Sequence, residues 1–194
     1  IEDQDHARHA VEASLAFRER ARTLGDELGL AEPSEFGVRT GIATGSAIIG
    51  NIGSSRRLNY TAMGNAVILA SRLEGANKFY GTDILIDDAT AAAMGKSIAA
   101  LPLERVRVKG RNEPVDLFLP LGFRDRLNRT EAETLERFQD AARLRERGAF
   151  SEARAVLGRA PNDPIGKVLS AHIEDWECQA SPVQHDFIFD LPGK

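Results

Sequence analysis

Cysteine is almost missing from this sequence: Cys178 is the only one among 194 residues. One thiol excludes an internal disulfide and a cysteine-rich metal site. It fits a reducing, cytosolic setting, although missing disulfides are weak support by themselves. No apolar run approaches the roughly 20 residues that span a bilayer, and no signal-peptide pattern opens the chain. Nor is there an excess of basic charge. The formal net charge is −4, which gives no long-range attraction toward nucleic acid or an anionic membrane. There is also no initiator methionine: the chain opens at Ile1, already inside a helical pattern, and reads as a piece of a longer polypeptide. What is present is ordinary for a water-soluble globular protein, with 42% hydrophobic and 28% charged residues. The length suits one full domain with an appendage, or two small domains.

Ala10, Ala13, Phe17, Ala21, Leu24 and Leu28 recur at spacings of 3 and 4, which predicts an amphipathic helix ending near Gly29. "FGVRTGIATG" alternates Phe36, Val38, Thr40 and Ile42, a strand closed by a turn at Gly45. "AIIGNIG" reads as a second strand, expected antiparallel to the first through Gly45-Ser46, with "SSRRLNY" an exposed basic loop or hairpin tip. "NYTAMGNAVILASRLEG" follows as the entry and first turns of a helix running from about Gly64 to Tyr80. That helix is expected to bury Ala66, Leu69, Ala70, Leu73 and Tyr80, with Ile68 and Arg72 beside the stripe. "TDILID" is a strand and "DATAAAM" a helix; "LERVRVKG" and "EPVDLFLPLG" form a strand pair turning at Gly110-Arg111-Asn112. The order is helix, two strands, helix, strand, helix, two strands. This predicts an α+β fold with a sheet covered by helices.

The character changes at Asn128. Phe138, Ala141, Ala142 and Leu144 lie on one charged helix, a second helix follows the Gly148 turn and stops before Pro161, and a third runs from Ile165 to Cys178 with Trp176. The first two resemble one tetratricopeptide-like hairpin, which cannot bury its apolar face alone and must dock on a neighbour. "HDFIFDLPGK" alternates and is expected to add an edge strand or an extended clamp. Two units are therefore expected, 1–122 and a small all-helical tail over 128–194.

Taken singly, most candidate sites have bland explanations. His6 and His9 sit three apart on the first helix, but a pair without a third ligand is more often a solvated helix start. Cys178 lacks a paired histidine and reads as a packing residue. The glycines of "GIATGSAIIGNIG" match neither a phosphate loop nor a dinucleotide fingerprint. Asp87 and Asp88 are expected to cap the alanine-rich helix.

The combination is more telling than its parts. "GVRTGIATGSAIIGNIGSSRRLNYTAMGNAVILASRLEG", followed about thirty residues later by "RVRVKG", resembles the class III adenylate/guanylate cyclase catalytic domain over about Asp5 to Gly122. The resemblance implies a partial cyclase-type (ferredoxin-like) sheet. It also implies cyclisation of ATP or GTP, in which the ribose 3′-hydroxyl attacks the α-phosphate and pyrophosphate leaves. Such a displacement asks for positioning and for charge neutralisation on the transferring phosphoryl. Sites of this family form between two catalytic domains, one supplying two metal-binding aspartates and the other the base-reading and transition-state groups. Only the second set has counterparts here. The aspartates belong to strands ahead of the helix at which this chain opens, so Mg²⁺ or Mn²⁺ would be held by residues missing from it. This piece alone is expected to be inactive.

By the same resemblance Thr61 takes the second base-reading place, where threonine suits adenine and hence ATP; the first such place has no counterpart. Arg72 takes the place of the arginine that stabilises charge on the α-phosphate, with a permanently charged fork of donors suited to that task. Lys109 lies near the place of a lysine on the terminal phosphates, although Arg107 and Arg111 are close enough to substitute. The departure is Ile68, where family catalysts carry asparagine one turn before the arginine. Residues at i and i+4 share a helix face, and isoleucine has no hydrogen to donate. Losing one preorganised donor costs about 2.7–4 kcal/mol, or roughly 10²–10³ in rate. Asn65 lies two turns before Arg72 and is expected to point too far away to replace the amide.

Two readings follow. One is the C-terminal part of a dimeric bacterial-type adenylate cyclase, cytoplasmic, with any membrane anchor lying ahead of Ile1. The other is a pseudo-cyclase that keeps a dimerisation or nucleotide-binding role. Ile68 favours the second; Thr61, Arg72 and Lys109 oppose it. Nucleic-acid binding through Arg56 and Arg57 is disfavoured by the acidic net charge.

Overall fold

Strand β4 (Ile84–Asp87) organises the molecule, because all four of its residues are buried. This computed structural model describes residues 3–29, 37–54, 57–108, 113–179 and 188–191. Leu85 enters one apolar cluster, while Ile84 and Ile86 enter another. Side chains alternate between the two faces of a strand, so both faces of this sheet carry a core.

On one face α1 (His6–Glu27) and α3 (Asp88–Ala93) cover Ile84, Ile86 and Ile98 with Val11 and Met94. On the other lie α2 (Asn65–Tyr80) and the helices of the C-terminal part. The five-stranded mixed sheet has the order β1-β4-β6-β5-β7. Here β1 is Thr40–Ile42, β5 Ile98–Arg107, β6 Val115–Phe123 and β7 Ile188–Asp190. β1 runs parallel to β4, β6 antiparallel to both β4 and β5, and β7 parallel to β5. The α+β class and the edge strand from the C-terminal stretch agree with the sequence, while that same strand, paired with β5, corrects the expectation of an all-helical tail. The turn expected at Gly110-Arg111-Asn112 lies outside the described residues.

One pairing differs from expectation. β1 does not pair with β2 (Ile48–Ser54). β2 pairs antiparallel with a strand missed in the sequence, β3 (Arg57–Met63), in a separate two-stranded ribbon. "RLNYTAM", read as loop and helix entry, alternates Leu58, Tyr60 and Ala62, but Leu58, Tyr60 and Met63 stand in solvent and only Ala62 is half-buried. A strand without a buried face gives no in–out contrast for sequence reading to detect.

Three helices follow a 3-10 turn at Arg124–Arg126: α4 (Arg129–Glu146), α5 (Phe150–Leu157) and α6 (Pro164–Gln179). A reciprocal capping box opens α4, Asn128 accepting from the Glu131 amide and the Glu131 carboxylate accepting from that of Asn128. Leu135, Phe138 and Ala141 of α4, Ala153 and Leu157 of α5, and Leu169 and Ile173 of α6 share one cluster with Leu103 and Leu117 of the sheet. Phe150 and Trp176 pack against it, half-buried. Arg137 and Asp163 close an ion pair between α4 and the start of α6. The apolar core therefore runs across the junction expected between 122 and 128. Among the described residues no helix is long and apolar enough to cross a membrane.

Candidate active site

Helix α2 presents the candidate residues, and two local features seat it. Gly64 precedes its first residue with φ of 156°, and a Cβ there would lie 2.7 Å from the Ser46 carbonyl oxygen. Only glycine fits both the conformation and the space. At Gly41 in β1 a Cβ would lie 2.1 Å from the Ala70 carbonyl oxygen and 2.3 Å from the Glu74 nitrogen. Strand backbone thus rests on helix backbone.

The seat is fastened by Asn77, which is fully buried. Its amide donates to the Thr40 carbonyl of β1 at 2.9 Å and to the Leu73 carbonyl at 3.0 Å, and its oxygen accepts from the Thr82 hydroxyl at 2.8 Å. Leu69, Leu73, Ala76 and Tyr80 bury the inner face. The expected stripe is right at Leu69, Leu73 and Tyr80, while Ala66 and Ala70 are half-buried.

The outer face carries Ile68, which is 57% exposed, and one turn later Arg72, which is half-buried. Among the described residues Arg72 makes no hydrogen bond or ion pair, whereas nearby Glu74 receives Arg39 at 3.3 Å. An arginine left uncommitted beside occupied ones has all its donors available for an incoming anion. Thr61 is exposed on β3, opposite Gly50 of β2, and the ribbon meets α2 along one side. Thr61 thus lies on β3, and Ile68 and Arg72 on α2, the helix that follows it in the chain. Lys109, Arg111 and Arg56 lie outside the described residues.

The β2–β3 ribbon and the first turn of α2 are rich in exposed apolar side chains. Ile48, Ile49, Leu58, Tyr60, Met63 and Val67 all expose large side chains, Ile48 to 73% and Tyr60 to 76%. The register puts Ile48 and Met63 on one face of the ribbon and Ile49, Leu58 and Tyr60 on the other, and exposed apolar side chains in such number mark an interaction surface.

The remaining candidates take structural roles. His9 Nδ1 lies 2.8 Å from an Asp3 oxygen on an exposed helix end, and hydrogen bonding to His9 holds Asp3 below the usual carboxylate range. Asp87 is the N-cap of α3, accepting from the Thr90 amide at 2.9 Å. It also accepts from the Thr44 amide at 3.3 Å, which ties the chain leaving β1 to α3. Cys178 is exposed. Among the described residues no group of three or more His, Cys, Asp or Glu could hold a metal ion.

Sequence reasoning missed Asn77, Glu104 and His172. Asn77 follows Leu69 and Leu73 at helical spacing, so a polar residue inside an apolar stripe was the available signal. Glu104 was hidden by a register shift between Pro102 and Arg105. Leu101 and Leu103 point inward, and after the irregularity Glu104 and Val106 do. Strict alternation would have sent Glu104 to solvent.

Residues 2–120 match the Adenylate and Guanylate cyclase catalytic domain family. The chain is 40% identical over 134 residues to Adenylate cyclase 1 of Rhizobium meliloti (strain 1021), covering 69% of this chain and 20% of that protein. It is 37% identical over 117 residues to the terminal-differentiation specific adenylate cyclase of Dictyostelium discoideum, covering 58% of this chain and 6% of that one. It thus spans a fifth or less of the length of these curated relatives. Among solved structures, the adenylyl cyclase CyaB from P. aeruginosa superposes with a TM-score of 0.53 at 31% identity, covering 63% of this chain and 62% of that one. The guanylyl cyclase Cya2 gives 0.50 at 33% identity, covering 66% and 64%.

Proposed function

Because the chain belongs to the adenylate and guanylate cyclase catalytic domain family, we propose that it supplies the base-reading and charge-stabilising half of a site that converts ATP to cyclic AMP and pyrophosphate. The observation that carries this reading is Arg72: an uncommitted guanidinium on the outer face of a helix seated backbone-to-backbone on β1. In the reaction the ribose 3′-oxygen forms a bond to the α-phosphorus as the bond to the β-phosphate oxygen breaks. Negative charge spreads over the transferring phosphoryl, and a fixed cation there is worth most in the transition state. Arg72 fills that role, the Thr61 hydroxyl bonds the adenine edge, and Lys109 reaches the terminal phosphates.

In this reading Mg²⁺ or Mn²⁺ belongs to the other half of the site, contributed by residues outside this chain. The exposed apolar side chains of β2, β3 and α2 are where a second cyclase domain would sit, and a homodimer is the arrangement proposed. The helical part is read as one tetratricopeptide-like hairpin plus a third helix. The working compartment is the cytoplasm, where ATP is found.

Ile68 carries a second reading. An exposed isoleucine continuous with Val67 and Met63 suits a pseudo-cyclase that has kept association and lost turnover. One experiment separates the two, using the chain with its native flanking sequence, ATP, and Mg²⁺ or Mn²⁺. A catalyst short of one donor gains kcat by about 10²–10³ on Ile68→Asn, with KM nearly unchanged. Arg72→Ala abolishes activity in either background. No turnover before or after Ile68→Asn rejects the enzyme reading in favour of the association module.

A further inference from the structure

A polar cluster that cyclisation would not use lies buried under the C-terminal end of α2. Its centre is Glu104 of β5, whose side chain is 0% exposed. The Tyr80 hydroxyl donates to Glu104 Oε1 at 2.5 Å. His172 Nδ1, from α6, lies 2.8 Å from the same oxygen and 3.1 Å from Oε2. Carboxylate oxygens only accept, so this contact places the histidine proton on Nδ1. Burial first, and then Glu104, pushes the Tyr80 phenol well above its ordinary range, which keeps it a donor. Arg145 of α4 stands beside Glu104 and donates to the Leu103 carbonyl at 2.6 Å.

Rings complete the junction. His172 stacks on Phe189 of β7 with centroids 3.7 Å apart, and both lie 5.4 Å from Phe79 of α2. One carboxylate and four rings thus join α2, β5, α6 and β7. A buried network whose members are all bonded has a single low-energy arrangement, because any shift leaves a charge unpaired in a low-dielectric interior.

Tyr80 follows Arg72 on the same helix by eight residues, or about 12 Å at the α-helical rise. A straight helix of that length transmits rotation and axial shift rigidly. Two other fastenings, Gly41 and Asn77, hold it to β1, while this cluster ties it to the helical part through a charged group. We propose that Tyr80, Glu104 and His172 are positioning residues, through which α6 sets the place of Arg72. The inference rests on the cyclase reading for its catalytic consequence, but its mechanical content concerns α2 alone.

The test uses the chain with its native flanking sequence, at a temperature well below unfolding. It reads kcat and KM for ATP together with amide hydrogen exchange over Leu73–Tyr80. His172→Phe keeps the ring and removes the donor; His172→Asn restores a donor near Nδ1. Positioning predicts that His172→Phe lowers kcat about 10–100-fold, as displacement of a catalytic group by up to an ångström does. KM should move less than about threefold, because ground-state binding is largely spared. Exchange over Leu73–Tyr80 should rise about tenfold while β4 and β6 stay protected, since local opening is separable from global unfolding. His172→Asn should recover most of both effects.

Unchanged exchange over Leu73–Tyr80 in His172→Phe overturns the proposal. So does a uniform rise across the sheet, which describes a stabilising contact and nothing more. An active wild type whose kcat is indifferent to His172→Phe, despite loosened α2, overturns the link to Arg72. A wild type without cyclase activity refutes the functional reading instead, and exchange alone then decides whether α6 positions α2.

Discussion

Gly41→Ala adds one methyl group at the place where β1 touches α2. The new carbon would stand 2.1 Å from the Ala70 carbonyl oxygen and 2.3 Å from the Glu74 nitrogen, with the Leu73 carbonyl carbon at 2.9 Å. Ordinary contact begins near 3.4 Å, so the helix must recede by about 1.3 Å at that point. All three atoms are backbone, and no side-chain rotamer can relieve the contact. The retreat also stretches the 2.9 Å bond from Asn77 to the Thr40 carbonyl, whose donor is buried and has no water to turn to. Overpacking of this kind costs about 1–3 kcal/mol, and stranding a buried polar group adds about 1–3 kcal/mol more. For a chain of this size each kcal/mol lowers Tm by about 2–4 °C. A central loss of about 4 kcal/mol therefore lowers Tm by about 8–16 °C, read by circular dichroism. Gly122→Ala is the control: no atom lies within 4 Å of its added carbon, and its effect should stay within about 0.5 kcal/mol. If Gly41→Ala melts with the wild type, β1 does not rest on α2 as described.

Two further outcomes are expected. Ile49→Glu, at a side chain 65% exposed, should leave folding stability within about 0.5 kcal/mol and weaken self-association in sedimentation; a wild type that is monomeric at every concentration refutes the assignment of this face. Tyr80 gives an alkaline signature. Its folded-state value is raised, so its contribution to stability is complete below the unfolded value of about 10 and is lost as pH rises beyond it. There the unfolded phenol ionises while the buried one does not. Urea midpoints from pH 8 upward should fall less steeply in Tyr80→Phe than in wild type, and equal slopes would contradict the burial of that hydroxyl.

What the sequence disclosed follows from how local each signal is. The helices over His6–Glu27 and Asn65–Tyr80, and the three of the C-terminal part, repeat apolar residues over several turns, and Asp87 announces its cap by position. β1 is three residues long, and its parallel partner β4 lies beyond a hairpin and a helix. No local pattern states such a pairing, and the nearer strand β2 was the natural but incorrect choice. β3 escaped because its apolar residues face outward, where they await something other than this chain's own core. At the site, helical spacing was enough to place Ile68 and Arg72 together outside the buried stripe, while their chemical meaning came from the family resemblance. The fastenings under α2 were the least legible part. Asn77, Glu104 and His172 are polar residues at buried places, and each is stabilised by a partner distant in sequence.

The pairing of β7 with β5 bears on how the chain is made. Arg107 and Asp190, paired across that edge, are 83 positions apart. As the polypeptide leaves the ribosome, β5 and β6 are complete at Phe123, but the strand that covers β5 begins only at Ile188. Those 65 residues take about 3 to 13 seconds at about 5–20 residues per second. Throughout that interval β5 offers a row of unpaired amides and carbonyls to any passing strand, and until α4 and then α6 emerge Glu104 has neither Arg145 nor His172 beside it. A nascent chain paused there presents both an open sheet edge and an unmatched carboxylate in its interior. The stretch of synthesis between β6 and β7 is where a holding chaperone would matter most, and a slow codon placed in it would lengthen the exposure of that edge.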